Sequence, residues 1–253
     1  MPEDAGTGLA PARRKDRPAF YALRPGGWRD YVTLVHPPYT AWHLSYVVIG
    51  GCLAPVVVWE RLGAAVAAFA LAVGIAAHAL DELRGRPLRT RISDRVLVSL
   101  AAVSLTAACA IGVVGAVSFE PWLALLVPVG LFLVLAYNLE FFGARFHTDL
   151  WFGLAWGGFP VVCGYAAVSG NVRGVTLLGA AFAVLLSLAQ RALSSHVRFV
   201  RRQVTSVDGH VELRSGAREH LNASRLIEAD ERGLRLLTAA VVVLATAMVA
   251  LRI

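Results

Sequence analysis

The sequence predicts an all-α, polytopic membrane bundle of about seven spans, and three observations predict it. Apolar residues make up 57% of the 253-residue chain against 16% charged. Several apolar runs reach the roughly 20 residues that a helix needs to cross a bilayer. The connections between those runs alternate between arginine-rich and nearly cation-free, the pattern expected of helices that cross in turn.

The elements follow in order. Residues 1–38 are polar and proline-containing, with a disorder-prone stretch over 1–18, and read as a cytoplasmic N-terminal segment. They contain no short apolar core followed by a small-residue cleavage site, so the first helix is expected to remain as a signal anchor. The membrane bundle fills 39–253, with spans expected at 39–59, 62–80, 95–117, 121–139, 149–168, 174–193 and 234–252. Pro55, Pro128 and Pro160 fall within spans, where a missing backbone donor can bend a helix. Gly153 and Gly157 form a GxxxG pair that lets a second helix approach closely. Trp42, Trp59, Trp122 and Trp151 lie near span ends and suit the aromatic belts of the interface. Residues 194–233 read as a cytoplasmic loop with a helical portion starting near Ser215, whose stripe carries Leu221, Arg225, Glu228 and Arg232.

Charge orients the bundle. Arg24 and Arg29 before the first span, Arg84, Arg86, Arg89, Arg91 and Arg95 after the second, and the 194–233 segment all place their ends in the cytoplasm, amino terminus included. Arg13, Arg14, Lys15 and Arg17 add to the first group. Lys15 is the only lysine, a bias that fits a GC-rich genome, and the expected location is a bacterial cytoplasmic membrane. The formal charge of +7 sits beside apolar spans and not on a soluble domain, so nucleic acid is not an expected partner. Cys52, Cys109 and Cys163 lie singly in apolar runs without CxxC spacing, which indicates neither a disulfide framework nor a zinc site. No paired half-helices or internal repeat of the transporter kind occurs.

Polar residues cluster where spans meet the charged end. His78, Asp81 and Glu82 are spaced i, i+3 and i+4, on one helical face. Carboxylate oxygens suit magnesium, which is held by one or two carboxylates plus substrate phosphates. Arg86, with Arg84 and Arg89, has the guanidinium fork that pairs with phosphate oxygens. A second group, Tyr137, Asn138, Glu140, Arg145, His147 and Asp149, ends a later span. There Asp149 reads equally as a helix-start residue favoured by the dipole. A third group, Gln190, Arg191, Ser194, Ser195, His196 and Arg198, offers cations and hydroxyls but no carboxylate. The ensemble suggests a site for an amphiphilic, lipid-phosphate substrate.

From His36 to Leu193 the chain resembles the UbiA prenyltransferase superfamily. The resemblance rests on His36-Pro37-Pro38-Tyr39-Thr40, on Asp81 with Arg86-Pro87-Leu88 and Ile92-Ser93 downstream, and on Tyr137, Arg145, Gly153, Pro160, Gly164 and Tyr165. It implies a UbiA-like helical bundle with a central cavity open to the cytoplasmic face. It also implies transfer of a prenyl group from its diphosphate to an acceptor with magnesium as cofactor. On that basis Asp81 and Glu82 are the expected metal residues, with His78 completing the catalytic set. Arg86 and Arg145 would neutralise phosphate, Tyr137, Asn138 and Glu140 would orient the acceptor, and Asp149, Arg191 and Arg198 would complete the substrate-binding set. The chain departs from the family pattern at two places. Ala77-His78, Asp81 and Gly85 stand in the register of the first aspartate-rich motif, and Ser194-Ser195-His196-Val197-Arg198 stand where the second is expected. Two other readings stay open at this point: a catalytically inactive lipid-binding or scaffold protein of the same fold, and an intramembrane terpene cyclase.

Overall fold

A computed structural model describes residues 17–253, so Arg13, Arg14, Lys15 and most of the stretch expected to be disordered lie outside the described residues. A short helix α1, Trp28–Leu34, leads into α2, Pro37–Cys52. Six further helices are long and apolar enough to cross a membrane. They are α3, Trp59–Leu83; α4, Asp94–Ser118; α5, Pro121–Asn138; α6, Asp149–Ser169; α7, Gly174–Gln203; and α8, Ala223–Ala250. A hairpin of β1, Gly209–Glu212, and β2, Arg218–Leu221, separates the last two. With α2, the six make the seven helices expected.

Helix α2 is the packing centre. Its 16 residues rise only about 24 Å, short of the roughly 30 Å hydrocarbon core. It compensates by burial: Trp42, Tyr46 and Ile49 pack against Val161 of α6, Ala183 of α7 and Val241 and Ala245 of α8. The approach of α2 to α6 is at backbone level. A Cβ on Gly50 would strike the Val161 carbonyl, and one on Gly164 the Val47 carbonyl. The GxxxG pair works in the same way against α7, where a Cβ on Gly157 would lie 2.5 Å from the Ala183 carbonyl oxygen.

Several expectations need correction. Pro55 does not bend a span; it follows the end of α2 at Cys52, because proline offers no backbone N–H and disfavours helix in the residue before it. Pro160 lies within α6, just after a π-helical turn over Gly153–Gly158. It cannot donate to the Trp156 carbonyl four residues back, and His43 Nδ1–H donates there at 2.8 Å. Trp42 is no belt residue: it is 1% exposed and its Nε1 donates to the Tyr46 hydroxyl at 2.6 Å. The segment 194–233 is mostly structured. Helix α7 runs on to Gln203 because Val197 and Val200 pack on Ile227 and Leu234 of α8. The residues from Ser215 form a turn and β2, and the helix starts at Ala223, where Asn222 accepts from the Arg225 N–H at 3.1 Å.

The two ends of the bundle differ in kind. One is closed by short contacts: Trp122 Nε1–H to the Gly170 carbonyl at 2.8 Å, Arg252 Nε–H to the Cys52 carbonyl at 3.1 Å, and Arg61 over the Phe119 ring. The other end gathers residues 17–36, 84–93, 139–148 and 204–222.

Candidate functional site

At the charged end, α3 delivers two adjacent carboxylates to different places. Successive residues of a helix point roughly 100° apart. Glu82 is fully buried, and its oxygens accept from the Leu88 N–H at 2.9 Å, the Thr90 N–H at 2.8 Å and the Thr90 hydroxyl at 2.8 Å. This geometry gives Glu82 a structural task, ordering the 84–93 loop, in place of the expected metal role. The Asp81 carboxylate makes no ion pair or hydrogen bond among the described residues, although its backbone carbonyl accepts from the Arg84 N–H at 3.1 Å. The Arg202 and Arg198 guanidiniums and His147 act on it through space.

The loop itself is strained and pinned. Gly85, Arg86 and Arg89 all have positive φ, at 81°, 53° and 57°. Arg86 is spent inside it, on the Ile92 carbonyl and on Asp94, which removes it from the expected phosphate contacts. Asp30 of α1 accepts from the Gly26 and Arg91 N–H groups at 2.9 and 3.0 Å, tying the N-terminal segment to the loop. Arg84 reaches the second polar group, donating to the Leu139 carbonyl at 2.8 Å and pairing with Glu140 at 2.9 Å. The two loops are therefore linked, with Glu140 as part of the link.

Tyr137, at the end of α5, is 6% exposed and its hydroxyl has no partner among the described residues. Its ring stacks on His147 at 4.4 Å and meets Trp156 edge-on at 5.5 Å. Asn138 uses its amide locally, donating to the Val134 carbonyl at 2.7 Å. Arg145 is exposed and makes no side-chain hydrogen bond among the described residues. Thr148 is the residue that caps α6. Asp149, in the first turn, pairs with Arg191 of α7 at 2.8 Å. Arg198 donates to the Ser194 and Ser195 hydroxyls at 3.0 and 2.9 Å.

Sequence reasoning gave no site role to Tyr21 or Arg202, used His36 and Tyr39 only for the resemblance and Gln190 only as a member of the third polar group, and the fold brings these residues to the same place. His36 sits just before α2 with φ 49°, its ring 4.0 Å from His78 and 5.3 Å from Tyr21. His78 donates its Nδ1–H to the Gly74 carbonyl at 3.1 Å. Burial, then the His78 ring and the Arg202 and Arg198 charges, hold His36 well below the usual imidazole pKa of 6.5. Burial, then Tyr39, hold the Tyr21 hydroxyl well above the usual value of 10.0. His36 Nε2, Gln190 Oε1 and Arg202 Nε are buried without a partner among the described residues. The only legible hint was His36-Pro37-Pro38-Tyr39, where proline opens a helix and fixes its neighbours.

An apolar cavity of about 340 Å³ lies between α3, α4, α5 and α6, lined by Ala72, Val73, Leu133, Val134, Trp156 and Phe159 among others. Trp156 belongs to both compartments, because its other neighbour is Tyr137. Trp156 thus joins the cavity to a polar chamber, the cluster of the Asp81, Tyr137, His147, Arg198 and Arg202 side chains.

A family model described as the UbiA prenyltransferase family matches residues 80–206, half of the chain. The chain belongs to the UbiA prenyltransferase family. No curated protein and no solved structure matches it. The matched stretch of this UbiA family member spans Asp81, the pinned loop, Tyr137 and the arginines of α7, and leaves out His36 and α8. UbiA enzymes generally use magnesium through aspartate-rich motifs. Among the described residues here, no group of three or more His, Cys, Asp and Glu is placed to hold a metal ion. Among the described residues Asp81 is the carboxylate of the chamber whose oxygens make no hydrogen bond or ion pair, since Glu82, Glu140 and Asp149 are engaged elsewhere. This donor set does not fit a protein-held metal cluster.

Proposed function

We propose that the protein is an integral-membrane prenyltransferase that moves an isoprenoid group from its diphosphate to an acceptor. The observation that carries this reading is Trp156, which lines an apolar cavity and meets Tyr137 edge-on at the polar chamber, where Arg198 and Arg202 have no carboxylate within ion-pair distance among the described residues. The cavity has the size and lining of a small-molecule site. It would take the prenyl chain, with the diphosphate in the chamber and the charged end of the bundle facing the cytoplasm.

The reaction follows from that placement. Heterolysis of the allylic C–O bond leaves the electron pair on diphosphate oxygen, and the arginines of α7 stabilise that charge. The carbocation is left beside the aromatic faces of Tyr137 and Trp156, in a setting that excludes water. An acceptor electron pair then forms the new bond, and the acceptor's proton passes to Asp81. Magnesium, the cofactor the resemblance implied, has only Asp81 to bind, and no step here depends on it.

The test is diphosphate release by the purified protein in nanodiscs, with a panel of allylic diphosphates and a membrane extract as the acceptor source. Release that is lost in Asp81→Asn, with a product heavier than the prenyl alcohol, supports transfer. No release with any donor overturns the reading in favour of a binding protein. A product of the mass of the prenyl chain less one proton marks a cyclase instead.

A further inference from the structure

Arg191, Arg198 and Arg202 recur at i, i+7 and i+11 on α7, within roughly 20° of a single line along the helix. Arg191 is neutralised by Asp149. Neighbouring Arg201, on another face, is neutralised by Glu231 at 2.5 Å. Arg198 and Arg202 have no carboxylate within ion-pair distance among the described residues. Among the described residues the Arg198 guanidinium donates only to hydroxyls, and Arg202 keeps a buried Nε–H without a partner. Buried or half-buried cations are normally paired, because leaving them unpaired costs desolvation energy without return. Asp81 is within electrostatic reach of both, and one carboxylate against two guanidiniums leaves an excess of positive charge.

Resting on the prenyl-diphosphate reading above, we propose that Arg198 and Arg202 grip the diphosphate directly, so that its binding does not depend on a metal ion. The guanidinium fork matches phosphate oxygens two at a time, and two such forks supply the charge of a divalent cation without its demand for carboxylate ligands. The donor set fits this assignment. Where a metal site needs clustered acids, this chain places hydroxyls and guanidiniums on α7, and the facing helix end supplies one carboxylate. The unpartnered Tyr137 hydroxyl adds a further donor at the same chamber.

The experiment is equilibrium binding of a non-ionising prenyl thiodiphosphate to the full chain in nanodiscs, with excess EDTA or with magnesium. The native protein is expected to bind with Kd values within about twofold in the two conditions. Arg198→Gln and Arg202→Gln should each weaken binding by roughly tenfold or more in EDTA, the loss expected for a charged hydrogen bond. Arg202→Lys should recover part of it, and Arg214→Gln, in the exposed turn between β1 and β2, should match the native Kd. Gel filtration and tryptophan emission identify the folded variants, and Arg202→Lys carries the comparison if either glutamine variant is misfolded. Binding that EDTA abolishes, with Arg198→Gln and Arg202→Gln unaffected in magnesium, overturns this inference and leaves the prenyltransferase reading intact. Absence of binding in both conditions overturns that reading itself.

Discussion

Replacing Glu82 by Gln separates a structural carboxylate from a metal ligand. The amide keeps one acceptor oxygen for the Thr90 N–H and hydroxyl, but sets an NH2 group against the Leu88 N–H that now lies 2.9 Å from a carboxylate oxygen. A hydrogen bond to a charged group is worth about 1.5–3 kcal/mol, so the loop should lose that much local stability. Amide exchange reads it directly: protection at Leu88 and Thr90 should fall by roughly ten- to a hundredfold, while the buried middle of α2 is unchanged. Activity should fall with it, and no excess of magnesium should restore it. Unchanged exchange at both amides, together with activity that magnesium rescues, would refute the structural assignment and return Glu82 to the metal.

Other perturbations report on other parts of the argument. His43→Phe removes the donor that serves the Trp156 carbonyl beside Pro160, and chemical unfolding should show a loss of about 1–3 kcal/mol for the orphaned buried acceptor. Gly164→Ala forces a methyl into the Val47 carbonyl, so the α2–α6 crossing must open; a thermal shift assay should show a lower Tm, with a cost of about 1–3 kcal/mol or more. His36 is depressed in the folded state, so the unfolded chain binds the extra proton: stability should be flat above about pH 6.5 and fall as the pH drops below it, with a slope of at most ~1.4 kcal/mol per pH unit. His36→Asn, which tolerates the left-handed backbone, should flatten that part of the slope in the same unfolding assay.

The spans were legible because twenty apolar residues in a row admit few other structures, and because arginines mark alternate ends. Where charge and packing compete, the reading failed. The residues 194–203 look like a loop by their arginines, yet Val197 and Val200 give α7 a stripe that α8 covers, and only the partner helix reveals it. The site divides in the same way. The Asp81-Glu82 pair is plain in the sequence, but which of the two the following loop would capture depends on the path of Leu88 and Thr90 through space. His36 had no visible partner, since His78 and Tyr21 reach it from opposite directions along the chain.

Tyr137 connects the readable and the unreadable halves of this site. Its position in the polar group that ends an apolar span marked it as a candidate, but the sequence could not tell that its ring would be held between His147 and Trp156 with its hydroxyl unspent among the described residues. A buried hydroxyl left without a partner costs about 1–3 kcal/mol. That cost is recovered when a ligand oxygen arrives, and the arginines of α7 set the sign of that ligand. On the proposed reading the scissile bond therefore lies across the Tyr137–Trp156 wall. The leaving oxygen is on the side of the guanidiniums, and the carbon that becomes cationic is on the side of the aromatic rings and the apolar cavity. Charge separation along that line places each developing charge against the groups that stabilise it, and reversing the substrate would place a diphosphate among Ala72, Val73 and Phe159.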